Sequence, residues 1–248
     1  MRSLRWGSIL ATVLLPAGAG AQGTALEVKA SGTKTFYANS RAGNNQVTFF
    51  SESTLEDFTG VCNRVGGDCQ LDPKNLETFK GRFFVRVEDM RTGIDLRDKE
   101  LRDADWLDAE KNPLIVIQFT SAEDVKKVAP DAASMTLVGT CSLHGETRDV
   151  RIPCTLRYLD ETPTTMRRVK GDLIRLRAKF VVKLADYAIA GPKASDVLGL
   201  KVSNDIEVRV TVFGSTERPP DPLKGDTAEA DPKRQAPRRP PPRREGGG

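Results

Sequence analysis

Among 248 residues there is one histidine, His144, so any nucleophile activated by an imidazole would have to use it. It stands in Leu143-His144-Gly145, a hairpin-turn sequence, and the chain contains no strand-turn-helix nucleophile elbow. A second concentration of reactive types is the run Asp95, Asp98, Glu100, Asp103, Asp105 and Asp108. An acid/base pair or a calcium loop could be built from such carboxylates, but their spacing fits no EF-hand, and solvation of a helix surface accounts for them. Four cysteines, Cys62, Cys69, Cys141 and Cys154, complete the set. Their spacings match no zinc module. No catalytic residue, metal or cofactor is therefore expected, and the chain reads as a non-enzyme.

In an oxidising compartment an even number of cysteines reads as disulfides, and four allow three pairings. The preferred pairing is Cys62 with Cys69, closing a loop at Gly66-Gly67, and Cys141 with Cys154 across the hairpin around Gly145. The second depends on hairpin register, because Cα atoms more than about 7 Å apart cannot be bridged.

The compartment is suggested by the N-terminus. Arg2 and Arg5 precede the apolar stretch Trp6 to Leu15, and small residues end at Ala19-Gly20-Ala21. That is the pattern of a signal peptide over residues 1–21, too short for a transmembrane helix of roughly 20 apolar residues. No cysteine follows the cleavage site to carry a lipid anchor. The expected mature protein is periplasmic or secreted, with no transmembrane anchor.

The other end changes composition after Phe213-Gly214. Residues 215–248 are poor in apolar side chains, rich in proline, and include Arg238-Arg239-Pro240-Pro241-Pro242-Arg243-Arg244. Such a segment cannot bury enough apolar area to offset its ordering entropy, so disorder is expected. It either docks weakly on anionic envelope surfaces or is a solvated tail without a partner. Nucleic acid is not expected, since no aromatic is interleaved with these arginines.

Residues 22–214 remain, enough for one domain. Apolar Phe83, Val85 and Val87 alternate with Phe84, Arg86 and Glu88, and Ile115, Ile117 and Phe119 with Val116, Gln118 and Thr120. Ile174, Leu176, Ala178, Phe180, Val182 and Leu184 alternate with Arg175, Arg177, Lys179, Val181 and Lys183; Ile206, Val208, Val210 and Val212 continue the theme. These are two-residue periods of half-buried strands. Turn signals fall at Asp72-Pro73, Pro130-Asp131, His144 to Thr147, Gly171-Asp172 and Gly191-Pro192. A single helix is expected after Asp95, with Leu101, Ala104 and Leu107 at helical spacing, ending before Asn112-Pro113. With so little helix to cover it, the sheet must curl into a barrel or pair into a sandwich. A barrel interior is either a solid core or a cavity, and periodicity leaves both open.

Several segments together resemble the YceI-like family of exported barrels. They are Asp72-Pro73; Thr92-Gly93-Ile94-Asp95 with Arg97-Asp98; Leu101-Arg102; Trp106-Leu107-Asp108; and Asn112-Pro113 with Ile117 to Ser121. Further on come Val138-Gly139-Thr140, Ser142 to Arg148, Ala185-Asp186-Tyr187 and Val202 to Val208. The chain departs from the family pattern at Glu100, where a histidine is usual, at Tyr187-Ala188 in place of an aromatic-Gly pair, and in Val47 to Ser53, which lacks a histidine. The resemblance implies an all-β, eight-stranded antiparallel lipocalin-like barrel with one short helix, holding a polyisoprenoid or other amphiphilic chain.

Such a ligand needs a dry tunnel and no polar contact to its tail. The candidate lining is Phe49, Phe83, Val85, Ile115, Ile117, Phe119, Leu137, Ile174, Leu176, Phe180 and Val208. The expected function is sequestering or carrying a long apolar chain: polyisoprenoid, quinone-like or fatty. The rival reading is a filled barrel acting through its surface and basic tail.

Overall fold

A computed structural model of the chain describes residues 25–192 and 201–219. The signal-like segment and most of the arginine-rich tail lie outside the described residues. Ten strands form one antiparallel sheet: β1 (Lys34–Ala38), β2 (Gln46–Ser51), β3 (Phe58–Cys62), β4 (Val65–Asp72), β5 (Asn75–Arg86), β6 (Leu114–Ala129), β7 (Ala132–Leu143), β8 (Glu146–Leu159), β9 (Leu173–Lys183) and β10 (Asp205–Ser215). Among the described residues there is one α-helix, α1 (Asp95–Glu100), between β5 and β6. The strand order is β1-β4-β5-β6-β7-β8-β9-β10-β2-β3, and β1 also pairs with β10.

That order is an eight-stranded closed barrel with its first two strands broken. β9 pairs with β10 along all eleven of the latter's residues. On its other edge β10 takes β2 from Ile206 to Thr211 and β1 at Gly214 and Ser215. β1 and β2 are thus two halves of one staggered strand, and β4 and β3, which pair with them respectively, are halves of the next. Closure pairs β10 and β1 on both edges, and β3 alone keeps an edge met only by the bridge of Val61 to Arg91.

Across the break, the main chain of Asn39 and the side chain of Asn45 continue the ladder. The Asn39 N–H donates to the Phe213 carbonyl at 2.8 Å, and the Phe213 N–H donates to Asn45 Oδ1 at 2.7 Å. Both asparagines are buried, and Asn39 Nδ2 donates to Ser215 Oγ at 2.7 Å. An asparagine carbonyl imitates a backbone acceptor, so the loop leaves Phe213 satisfied where a strand residue would otherwise stand.

The two barrel ends differ. At the end holding the β4–β5 and β6–β7 hairpins, Leu26 plugs the interior, with its N–H bonded to the Pro73 carbonyl, while Glu27 N–H bonds the Pro130 carbonyl. Lys74 Nζ donates to the Leu26 and Val28 carbonyls. Phe36, Leu71, Leu76, Phe79, Leu156, Tyr158 and Ile174 fill the space beneath, with Phe36 and Tyr158 edge to face at 5.6 Å. The Tyr158 hydroxyl donates to Asp172 Oδ2 at 2.6 Å, and Lys34 Nζ meets the same oxygen at 3.0 Å. Burial alone would raise the Asp172 carboxyl, but the Tyr158 hydroxyl, the Glu161 N–H and Lys34 outweigh it and hold it below its ordinary value.

The helix is shorter than its sequence spacing predicts. After Glu100 the chain proceeds by turns, with Arg102 and Asp103 N–H groups bonded three residues back and Asp108 left-handed at φ 46°. At the far end, β10 runs through Ser215, the Thr216 N–H bonds the Asp172 carbonyl at 3.0 Å, and Arg218 stacks over Tyr37 at 5.4 Å. Residues Ser215 to Arg218 therefore pack on the barrel.

The expected disulfides are absent: all four cysteines are free and buried. No loop turns between Cys62 and Cys69. Gly66-Gly67 lies inside β4, where Gly67 adopts φ +119° and a Cβ would stand 2.0 Å from the Arg82 carbonyl oxygen, so these glycines serve close approach to β5. Cys141 faces Arg148 across the β7–β8 ladder, six residues from Cys154. At 3.3 Å per residue that is roughly 20 Å, well outside bridging range. Burial pushes every thiol up, Cys154 to about 12.

Alkylation of native protein without reductant should therefore be slow, and four adducts should appear on unfolding; a mass showing two disulfides would contradict the register. Tyr158→Phe should cost about 2 kcal/mol by losing a buried bond to a carboxylate. Asp172 contributes stability above its unfolded value of 3.8 that fades as pH falls through its lower folded value. Asp172→Asn should flatten that acid limb, as urea midpoints on both sides of pH 3.8 would show.

Candidate functional site

Strand alternation sends one side chain in two inward, and above the plugged end those side chains do not meet. They surround a cavity of about 820 Å³, toward the upper end of the roughly 300–1,000 Å³ of small-molecule sites. β9 contributes Leu176, Ala178, Phe180 and Val182; β10 contributes Ile206, Val208, Val210 and Val212; β6 contributes Ile115, Ile117 and Phe119. β2 adds Val47 and Phe49, β5 adds Phe83, Phe84 and Val85, and β7 adds Leu137 and Leu143. Phe58, from β3, and Val65, from β4, complete the aromatic and branched lining near the broken strands.

Ten of the eleven residues expected to line a tunnel stand on this wall: Phe49, Phe83, Val85, Ile115, Ile117, Phe119, Leu137, Leu176, Phe180 and Val208. Ile174 does not. It shares the inward face of β9 but sits deeper, packed with Gly214 at the plugged end, where a Cβ on that glycine would stand 3.1 Å away. Cys62, Cys141 and Cys154 also face the cavity, as small apolar groups rather than nucleophiles, since burial keeps them protonated.

The charged lining gathers at the opposite end, where α1 and the turns after it cross the opening. Glu56, Arg97, Glu100, Asp103, Asp105 and Lys201 border the cavity there, with Trp106, Ile94 and Leu96. Arg97 pairs with Glu56 and lies over the Phe58 ring at 4.7 Å, tying α1 to the loop between β2 and β3. The buried Asp98 accepts from the Thr92 N–H at 2.6 Å and the Thr92 hydroxyl at 2.7 Å, holding the start of the helix. Gly191, left-handed at φ +69°, admits the Trp106 ring so closely that a Cβ would be 3.1 Å from it. Ile94 and Leu96 are the exposed apolar rim of this mouth.

In the sequence Glu56 gave no signal, and Glu100, Asp103 and Asp105 read as helix-surface solvation. The signal was present in their crowding, but which of them turn toward an opening depends on the helix ending at Glu100. His144 is left-handed in the β7–β8 turn, and its Nδ1 contacts the Tyr187 carbonyl at 3.0 Å. No described group of three histidine, cysteine, aspartate or glutamate side chains could hold a metal ion. What the arrangement supports chemically is enclosure of an apolar chain, with polar groups available only at its end.

Residues 39–213 match the YceI-like domain family. A UPF0312 protein of Pectobacterium atrosepticum is 30% identical over 141 residues, covering 56% of this chain and 68% of its own. A UPF0312 protein of Pseudomonas aeruginosa is 28% identical over the same coverage. Among solved structures, a polyisoprenoid binding domain from Saccharophagus degradans aligns with TM-score 0.52 and 14% identity over 74% of this chain and 99% of its own. BcnA of Burkholderia cenocepacia aligns with TM-score 0.53 and 12% identity over 68% and 95%. At these identities the two structures share the fold. The family match runs from the asparagine break at Asn39 to Phe213 within β10, taking in every strand but β1, and on that ground the chain belongs to the YceI-like family.

Proposed function

We propose that this protein binds and carries a long apolar chain, of the polyisoprenoid, quinone-like or fatty class, inside the barrel. The observation that carries this reading is the cavity of about 820 Å³, walled by aliphatic and aromatic side chains with every charged neighbour at the mouth. A barrel acting only through its surface would fill that space with side chains. The Saccharophagus degradans relative is a polyisoprenoid binding domain, which points to the same class of cargo.

Physically, the cargo needs no directional contact. Each methylene moved from water to such a wall is worth about 0.8 kcal/mol, so a five-carbon isoprene unit gains roughly 3 to 4 kcal/mol before ordering and association costs. A polar head would stay among Glu56, Arg97, Glu100 and Lys201 at the mouth. The N-terminal pattern supports export to the periplasm or beyond, where a carrier of water-insoluble chains is needed between membranes. No described helix is long and apolar enough to cross a membrane.

Native mass spectrometry of gently purified protein, followed by organic extraction, should reveal a defined added mass that extracts as an apolar chain. Bare protein that takes up neither isoprenoids nor fatty acids would overturn the reading. Ala178→Trp places an indole in the void from a small wall residue of β9. It should reduce uptake at least tenfold while leaving far-ultraviolet dichroism unchanged.

A further inference from the structure

The inward face of β9 lines the cavity, so Arg175, Arg177, Lys179 and Val181 face outward. The ladders on both sides add to them. Arg157 of β8 stands directly opposite Arg175, and Arg209 of β10 directly opposite Lys179. Like charges facing each other across a ladder destabilise a sheet, and here two such pairs share one wall. The outward neighbours Thr155, Thr211 and Thr48 carry no charge.

Carboxylates offset only part of this. Glu207 serves both Lys179, at 2.8 Å, and Arg209, at 2.6 Å, and Asp131 lies 3.4 Å from Arg157. Arg175 and Arg177 form no close ion pair among the described residues, and Asp131 offsets Arg175 only in part. With Lys183 and Asp205 opposite each other and cancelling, six cations against three anions leave the wall about three charges positive. Arg175 is held below the ordinary guanidinium value by burial first and then by Arg177 and Arg157, as expected of a cation crowded by cations.

We propose that this wall of β8, β9 and β10 docks the protein on an anionic phospholipid bilayer. Successive outward residues on a strand are about 7 Å apart and neighbouring strands about 4.8 Å, so the cations form a two-dimensional array. A barrel wall is convex and offers no groove for a linear polymer to follow, whereas a plane of phosphate headgroups meets such an array at several points at once. Guanidinium forks bind phosphate oxygens in pairs. Val181, 56% exposed on the same face, is an apolar side chain that a headgroup layer can take up. The docking does not require the cavity to be loaded.

The test is flotation of the full chain with vesicles of phosphatidylcholine, with and without about a third phosphatidylglycerol. Binding should require the anionic lipid and weaken steeply as salt rises. Arg175→Gln, Arg177→Gln and Arg209→Gln should each lower partitioning about fivefold. Arg175→Gln should also raise the thermal midpoint by relieving Arg157, a gain that a folding defect would not produce. Partitioning unchanged in all three variants would overturn the proposal. So would loss only when Arg238, Arg239, Arg243 and Arg244 are neutralised, or binding to heparin but not to vesicles. Failure to extract cargo would remove the carrier reading and leave this one standing.

Discussion

Everything in this molecule depends on β10 finding partners on both edges. β9 supplies one edge for eleven residues, but the other is shared between two short strands offset by the loop of residues 39–45. Were Phe213 left unsatisfied at that junction, a buried N–H and C=O would each cost the desolvation of a polar group. Asn39 and Asn45 remove that cost and let the ring close. The same loop packs Ala42 with Val169 and Leu173 in a second small apolar cluster, so the break is sealed from outside as well.

Closure then sets the shape of the interior. A ring of eight strands is wide enough that side chains from opposite walls meet only where bulky residues or an additional segment fill the space. Leu26 and the bulky Phe36, Phe79 and Tyr158 do so at one end. At the other end the chain crosses the opening by α1 and turns, which border the void instead of filling it. The cavity is thus what remains of a barrel interior plugged from one side, and its charged groups lie where the crossing segment meets water.

The legible parts of this architecture were those where one face is apolar and the other charged. β9 is the clearest, and its inward set, Leu176 to Val182, lines the cavity as the alternation predicts. The depth of a residue along the barrel is invisible to alternation, which is why Ile174 carries the same signal as Leu176 and yet belongs to the plugged end. β1 and β4 gave weak patterns because one is five residues long and the other contains Gly66-Gly67. The second half of β6, Ala122 to Ala129, mixes charge on both faces where two of the strand's three register shifts disturb its pairing with β7. The cysteine pairing failed for a related reason. Sequence separation suggested a loop at Gly66-Gly67, but the glycines allow a strand to approach its neighbour and the chain never turns back.

The strand order also constrains how the protein comes into being. From β5 to β10 each strand pairs with the one made just before it, so most of the sheet can zip up as synthesis proceeds. The seam is different: β1 and β2, made among the first strands, must wait for β10, made last. Closing it joins residues about 155 to 178 positions apart, such as Ile206 with Ser51 and Ser215 with Tyr37. Until the chain has emerged through Ser215, one nascent edge stays open to any other strand it meets. Whatever accompanies this chain during synthesis must guard that edge, and the time needed to reach the last strand sets how long.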